Sequence, residues 1–191
     1  MMTRMKHPQR DEGLTLIELI VAAALLGLVF TALGGILISL LVTERTVAGV
    51  AQGATAAQLT ATSINERIRN SSEFAVTTVG GDELLVARVA GTADDLEWTC
   101  HAWYYSAADD GQIRSTSGPD GTEISVPTAA ALAEWTLLLD GVTPVAGSPV
   151  FTPSGSRLEV RFDATAGESP PIAIRLTAVG LTATAEGASC Y

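Results

Sequence analysis

An uninterrupted apolar run lies near the start of the chain. From Leu19 to Thr43 there are 25 residues without a charged side chain. An α-helix rises about 1.5 Å per residue, so a helix over this run would be roughly 37 Å long. That length exceeds the roughly 30 Å hydrocarbon core of a bilayer. The pattern therefore predicts a transmembrane helix over residues 14–43.

A helical period continues beyond the apolar run. Seven apolar residues recur at alternating intervals of three and four positions, which places them on one face of a helix. They are Val47, Val50, Ala54, Ala57, Ala61, Ile64 and Ile68. Charged and amide side chains occupy the opposite face. Residues 44–70 are therefore predicted to form an amphipathic helix.

Two arrangements of these helical segments are open. In the first, one helix runs from Leu14 to about Arg69 and stops at Asn70-Ser71-Ser72. In the second, a membrane helix is followed by a separate soluble helix. The break would then fall at a glycine: Gly34, Gly35, Gly49 or Gly53. The amphipathic periodicity favours the single helix.

From Phe74 onward the period changes to two, which is typical of strands. The runs 73–79 and 82–90 flank Gly80-Gly81, which is the signature of a hairpin. Further strands are predicted at 96–107, 157–163 and 171–180, and the last two are expected to be antiparallel neighbours. The segment 122–128 is a further candidate strand. The segment 131–142 fits either a short helix or a strand.

The order of these elements predicts an α+β fold. A long N-terminal helix, with a membrane half and an amphipathic half, leads into an antiparallel β-sheet. The sheet is expected to pack on the amphipathic half of the helix. Residues 71–191 would then form a β-rich head.

The charge distribution predicts how the chain lies across a membrane. Arg4, Lys6 and Arg10 precede the apolar run, and basic flanks stay on the cytoplasmic side. We therefore expect a single pass of the cytoplasmic membrane, with the N-terminus inside and the head outside. The net charge of −10 argues against direct nucleic-acid binding, which needs clustered Lys and Arg.

The two cysteines, Cys100 and Cys190, both lie in the segment that is expected outside. A disulfide is permitted in that compartment, and it would close a loop of about 90 residues. Because Cys190 is the penultimate residue, a bridge would also tether the end of the chain. Two buried free thiols are the alternative.

The stretch EGLTLIEL at 12–19 resembles the processing signal of the type IV pilin and pseudopilin family. The resemblance implies that residues 1–13 are a leader, which a prepilin peptidase removes between Gly13 and Leu14. It also implies methylation of the new amino group on Leu14. The family usually has phenylalanine at that position, so Leu14 is a conservative departure.

Glu18 places a carboxylate at the start of the apolar run. Such a charge near the centre of a membrane span costs roughly 2.5–3.5 kcal/mol, and residues 19–43 contain no cation to pair with it. After cleavage, the Leu14 amino group would lie four residues away on the same helix face. Glu18 could pair with that group, or with the amino group of a neighbouring subunit, as in the family. Alternatively, Glu18 could extend to the lipid headgroups.

Gly34 and Gly35 lie in the middle of the apolar run. Each glycine costs about 1 kcal/mol in a helix relative to alanine. Two interpretations are open. The pair could soften a stretch that unwinds on assembly, as the resemblance implies, or it could allow another helix to approach closely.

No motif for catalysis, metal binding or cofactor binding stands out. The chain lacks a Cys/His cluster at zinc-ligand spacing, a phosphate-binding loop and a GxSxG elbow. His101 is expected to be a strand residue beside aromatic side chains, and Asp109-Asp110 is expected to be a solvated turn rather than a calcium loop. We therefore expect neither an enzyme nor a bound cofactor.

Taken together, the sequence predicts a structural subunit of a type IV pilus or of a related secretion or DNA-uptake pseudopilus. A loose similarity over residues 64–115 points to minor pilins of the J or W type, with other pilin subunits as partners. One alternative is a single-pass membrane-anchored binding domain in which the motif match is accidental. A secreted protein with a conventional signal peptide is a second alternative, which the long uncharged run fits poorly.

The mature N-terminus separates these hypotheses. For a processed pilin, mass spectrometry of the protein from a host with a prepilin peptidase is expected to find N-methyl-leucine at residue 14. An intact Met1 would support the accidental match, and a cut after about residue 30 would support the conventional signal peptide.

Overall fold

A computed structural model describes residues 16–91, 97–165, 170–181 and 190–191. The internal contacts divide the chain into two compact units, Met1–Arg45 and Thr46–Tyr191. Each unit is described by itself. The predicted processing site, Gly13 and Leu14, lies outside the described residues.

The N-terminal helix, α1, spans Leu16–Arg69, which is 54 residues. It continues without interruption through all the glycines at which a break was possible. The expectation of one long helix is therefore confirmed for its described part, and the alternative of two separate helices is wrong.

The end of α1 lies at the predicted stop. The Asn70 backbone N–H donates to the Arg67 carbonyl at 3.1 Å, and its side-chain amide donates to the Glu66 carbonyl at 2.9 Å. The Ser71 hydroxyl donates to the Ile68 carbonyl at 2.7 Å. These bonds satisfy carbonyls that lose their helical partners at a C-terminus, so the helix can end at Arg69 and the chain can turn into a strand.

Five strands form the first sheet, in the order of the chain and with every neighbouring pair antiparallel. They are β1 Ser71–Val79, β2 Asp82–Ala90, β3 Trp98–Ser106, β4 Gln112–Pro119 and β5 Thr136–Asp140. The predicted hairpin joins β1 to β2. Its central residues have positive φ, 62° at Gly80 and 98° at Gly81, a conformation that glycine adopts without strain.

Four strands form a second antiparallel sheet. They are β6 Val142–Pro144, β7 Phe151–Ser154, β8 Arg157–Ala164 and β9 Ile172–Val179. β8 is central, with β9 on one side and both β6 and β7 on the other. The predicted antiparallel pairing of 157–163 with 171–180 is confirmed.

The candidate strand at 122–128 is wrong. This segment has no strand structure and leads into a short helix, α2 Ala129–Ala133, whose N-cap is Thr128. Its alternating pattern has another cause, because Ile124 and Val126 pack on the outer face of the first sheet. The segment 131–142, which fitted either a short helix or a strand, contains both, because the end of α2 is followed by β5.

The main core of the second unit lies among the last turns of α1 and the inner faces of both sheets. Ala57, Ile64 and Ile68 of α1 are completely buried there, whereas Val47 on the same predicted face is 61% exposed. The amphipathic face is therefore buried only toward its C-terminal end. The expected packing of the helix on an antiparallel sheet is confirmed.

A buried carboxylate joins the two sheets. Glu83 of β2 is 3% exposed, and its two oxygens accept the backbone N–H groups of Val150 at 2.8 Å and Phe151 at 2.7 Å. Phe151 begins β7, so one side chain of the first sheet holds the start of a strand in the second. Burial raises the pKa of Glu83, and the two N–H donors oppose that rise.

We expect Glu83→Gln to lower the free energy of unfolding by about 1–3 kcal/mol, because a carboxamide has one acceptor oxygen and leaves one buried N–H without a partner. The raised pKa means that the folded state holds a proton more tightly than the unfolded state. The contribution of Glu83 therefore grows as the pH falls through its folded pKa and is lost as the pH rises.

Urea denaturation of the full chain in detergent, from pH 7 to pH 4, measures both effects. The deficit in unfolding free energy of Glu83→Gln relative to the wild type should widen toward acid pH. Glu123→Gln is the matched control, since Glu123 is exposed and makes no side-chain hydrogen bond with another described residue. A deficit that narrows toward acid pH would contradict the raised pKa and would show that the two N–H donors outweigh the effect of burial.

Candidate functional site

An exposed apolar surface covers the first part of α1. The large apolar side chains from Leu16 to Val42 remain between 48% and 76% exposed. Within the described part of the chain, α1 is the one helix long and apolar enough to cross a membrane. Because water disfavours this much apolar area, the segment requires lipid or another protein as its surroundings.

Two threonine hydroxyls in this part of α1 are satisfied locally. The Thr31 hydroxyl donates to the Gly27 carbonyl at 2.8 Å, and the Thr43 hydroxyl donates to the Ser39 carbonyl at 2.9 Å. A hydroxyl that bonds back to its own helix carries no unpaired donor into an apolar environment. These threonines are therefore compatible with a membrane-spanning helix.

Glu18 differs from these threonines. It lies in the first turn of α1 and its side chain is exposed. Among the described residues it makes neither a hydrogen bond nor an ion pair. The carboxylate thus lies at the start of an apolar helix without a partner in the described part of the chain.

Gly34 and Gly35 lie within α1, and a Cβ atom added at either position would meet no other atom within 4 Å. Nothing packed against these residues in the described chain therefore requires glycine. Helix softness and a contact with another molecule are the two roles that the sequence suggested for this pair. Both interpretations made from the sequence remain predictions.

Cys100 and Cys190 form a disulfide, with their Cα atoms 5.6 Å apart. The expected bridge is confirmed and the alternative of two free thiols is wrong. Both cysteines are fully buried in a small apolar cluster on the outer face of the first sheet. The Ile124 N–H donates to the Cys190 carbonyl at 2.9 Å, so the bridge also fixes the segment that covers this face.

A charged contact beside the bridge was missed by sequence reasoning. Arg88 of β2 donates through two nitrogens to the two oxygens of Asp120, each at 2.7 Å, and lies 4.7 Å from the ring centroid of Trp98. Arg88 holds the pKa of Asp120 below its usual value. The partners are 32 residues apart, and no local pattern indicates such a pair.

The same corner contains the one group of His, Cys, Asp or Glu side chains, among the described residues, close enough to hold a metal ion. It consists of Cys100, Asp120 and Cys190. The two sulfur atoms are bonded to each other and the carboxylate is occupied by Arg88. A metal needs thiolates rather than a disulfide, so this group is not a ligand set in the oxidised protein.

The remaining candidates lie where the sequence placed them. His101 is on β3 and stacks on Trp103, with ring centroids 6.2 Å apart. Burial, and then the positive charge of Arg67, lowers the pKa of His101 to about 4, so its imidazole is neutral at pH 7. Asp109 and Asp110 form the turn between β3 and β4, with φ of 51° and 66°.

Comparison with known proteins identifies no relative: no protein-family model, no curated protein and no solved structure matches the chain.

We expect the disulfide to contribute about 2–5 kcal/mol to the stability of the second unit, because it closes a loop across 90 positions and restricts the unfolded chain. Cys100→Ala combined with Cys190→Ala should lower the free energy of unfolding by that amount. Alanine is chosen because both sites are apolar and buried.

Urea denaturation of the full chain under non-reducing conditions measures the loss. Wild-type protein treated with dithiothreitol is the control and should show a similar loss. Equal stability of oxidised, reduced and doubly substituted protein would contradict a stabilising role for the bridge.

Proposed function

We propose that this protein is a structural subunit of a type IV pilus or of a related pseudopilus, and that it acts as a minor subunit. A prepilin peptidase cleaves it after Gly13 and methylates Leu14. The apolar part of α1 anchors it in the cytoplasmic membrane, with the head outside, until it enters a filament.

The observation that carries this proposal is the Glu18 carboxylate, which has no partner in the described part of the chain. It follows the Gly-Leu-Thr-Leu-Ile-Glu pattern and begins an exposed apolar helix. No partner for it lies among the described residues, and nothing in residues 19–43 supplies a cation. An anchor for a solitary membrane protein has no need of such a charge, whereas a subunit that pairs on assembly does.

The proposed partner is the free amino group of a neighbouring subunit. Two opposite unit charges 4 Å apart attract each other by about 4 kcal/mol at an effective dielectric constant of 20. A charge that costs energy in the membrane and is neutralised on assembly would favour the assembled state. It would also fix the axial register of one helix against the next.

The continuity of α1 supports a role in a filament. The residues that would form the filament core and the residues Ala57, Ile64 and Ile68, which are buried in the second unit, belong to one helix. A helix that runs on from the proposed filament core into the head connects the two without a Gly- or Pro-rich linker. The glycine pair at 34–35 would give the filament-core part local freedom to adapt.

The assignment as a minor subunit rests on the head. Its two sheets and the covering segment 122–128 make an irregular structure, and the loose similarity to minor pilins of the J and W type falls within it. Partners would then be other minor and major subunits, together with the prepilin peptidase and the membrane.

Removal of the Glu18 charge tests the proposal. Glu18→Ala and Glu18→Gln should still be cleaved after Gly13 and inserted in the membrane, but they should be missing from sheared filaments. The glutamine variant keeps the shape of the side chain, so a shared defect assigns the effect to charge. Mass spectrometry and immunoblotting of membrane and filament fractions provide the readouts.

Glu66→Ala is the matched control, because Glu66 is an exposed carboxylate on the same helix but in the second unit. It should enter filaments at the wild-type level. Incorporation of both Glu18 variants into filaments at the wild-type level would contradict the proposal. Wild-type protein that keeps Met1 in a host with an active prepilin peptidase would instead favour a membrane-anchored binding domain.

A further inference from the structure

A polar cavity of about 360 Å³ lies in the second unit between the end of α1 and the first sheet. Three elements supply most of its lining. Ser63 and Arg67 come from α1, His101 and Trp103 from β3, and Ser115, Thr116 and Ser117 from β4; Glu134 and Thr136 complete it. Trp103 is 2% exposed, so it forms a closed floor, on which His101 stacks.

Part of the polar lining lies beside the main core, on the same strand face as a core residue. Successive side chains in a strand point to opposite faces, so Ile113, Ser115 and Ser117 share one face of β4. Ile113 is completely buried in the main core, yet the next two positions on its face are serines. This face of β4 therefore changes from a buried apolar residue to a half-buried and then an exposed hydroxyl group.

These polar groups have few partners within the protein. Among the described residues, the side chains of Ser63, Ser115, Ser117, Thr136, Glu134 and Arg67 form no hydrogen bond or ion pair with another group. The His101 imidazole likewise has no hydrogen-bond partner in the described chain. Several donors and acceptors thus converge on one cavity and remain available to a ligand.

The chemistry of the lining indicates the class of ligand. Serine and threonine hydroxyls both donate and accept, and a neutral imidazole offers one donor and one acceptor. The positive charge of Arg67 is balanced by Glu134 in the same lining, so the site has no excess charge for a phosphate or sulfate. A ligand whose own groups both donate and accept, and which carries no net charge, complements this set best.

We propose that this cavity binds a neutral saccharide. The sugar hydroxyls would accept from the Arg67 guanidinium, donate to the Glu134 carboxylate and exchange hydrogen bonds with the hydroxyls of β4. His101 would contact the ligand from the floor of the cavity. This assignment is independent of the proposed filament role.

The His101 imidazole provides a direct reporter, because the chain has two histidines. The full chain carrying His7→Gln, in a detergent without a sugar headgroup, is titrated with glucose, galactose, N-acetylglucosamine and maltose while the His101 proton resonances are followed by NMR. At least one sugar should shift these resonances saturably. The pKa of His101 should stay near its low value, about 4, since the ligand is neutral.

Matched variants locate the site. Arg67→Gln and Ser115→Ala should each weaken sugar binding by about fivefold or more, as expected for loss of one hydrogen bond. Arg157→Gln and Ser154→Ala, which alter exposed residues outside the cavity, should leave binding unchanged.

Three results would overturn the proposal. One is that none of the four sugars shifts the His101 resonances. Another is that the cavity and control variants weaken binding equally. The third is that inorganic phosphate binds in place of the sugars and raises the pKa of His101, which would identify an anion site.

Discussion

Burial of one helix face holds the second unit together. Ile64 and Ile68 of α1 are fully enclosed between the inner faces of the two sheets, together with Ala57. Truncation of such side chains typically costs 2–5 kcal/mol each, a large share of the stability of a domain this size. The apolar inner faces of both sheets pack around this helix face to form the main core.

Two further interactions fix the positions of β7 and of the covering segment. Hydrophobic burial alone does not set these positions, because burial is not directional. Glu83 specifies where β7 begins relative to β2 through two backbone hydrogen bonds. The Cys100–Cys190 bridge and its neighbour Ile124 hold the covering segment on the outer face of the first sheet. Apolar packing thus stabilises the core of the second unit, and the disulfide holds the covering segment on the outer face of the first sheet.

Two carboxylates show how differently the chain treats a charge in apolar surroundings. Glu83 is buried, and the protein supplies both of its hydrogen-bond donors. Glu18 begins an exposed apolar helix and receives no donor from the described residues. A carboxylate that finds its donors in its own chain needs no other partner, whereas one without a donor favours contact with another group. That contrast is the physical basis for our proposal of a filament subunit.

The sequence by itself determined the elements whose signal is local. The continuous helix, the hairpin at Gly80-Gly81 and the pairing of β8 with β9 all follow from periods of 3.6 and 2 and from short turns. The expected location of the cysteines outside the membrane also predicted their bridge. Prediction of a strand from a period of two failed at 122–128. The alternating apolar residues there belong to a segment that lies on the first sheet and is not a strand of it.

Only the tertiary structure decided the contacts between distant parts of the chain. Glu83 finds its donors 67 and 68 positions away, and the polar cavity collects residues from α1, β3, β4 and the β5 region. No periodicity marks these groups, because each is an ordinary polar residue within its own element. Their roles arise when the packing of α1 on the sheets buries one carboxylate between two strands and brings unpaired hydroxyls together at the edge of the core.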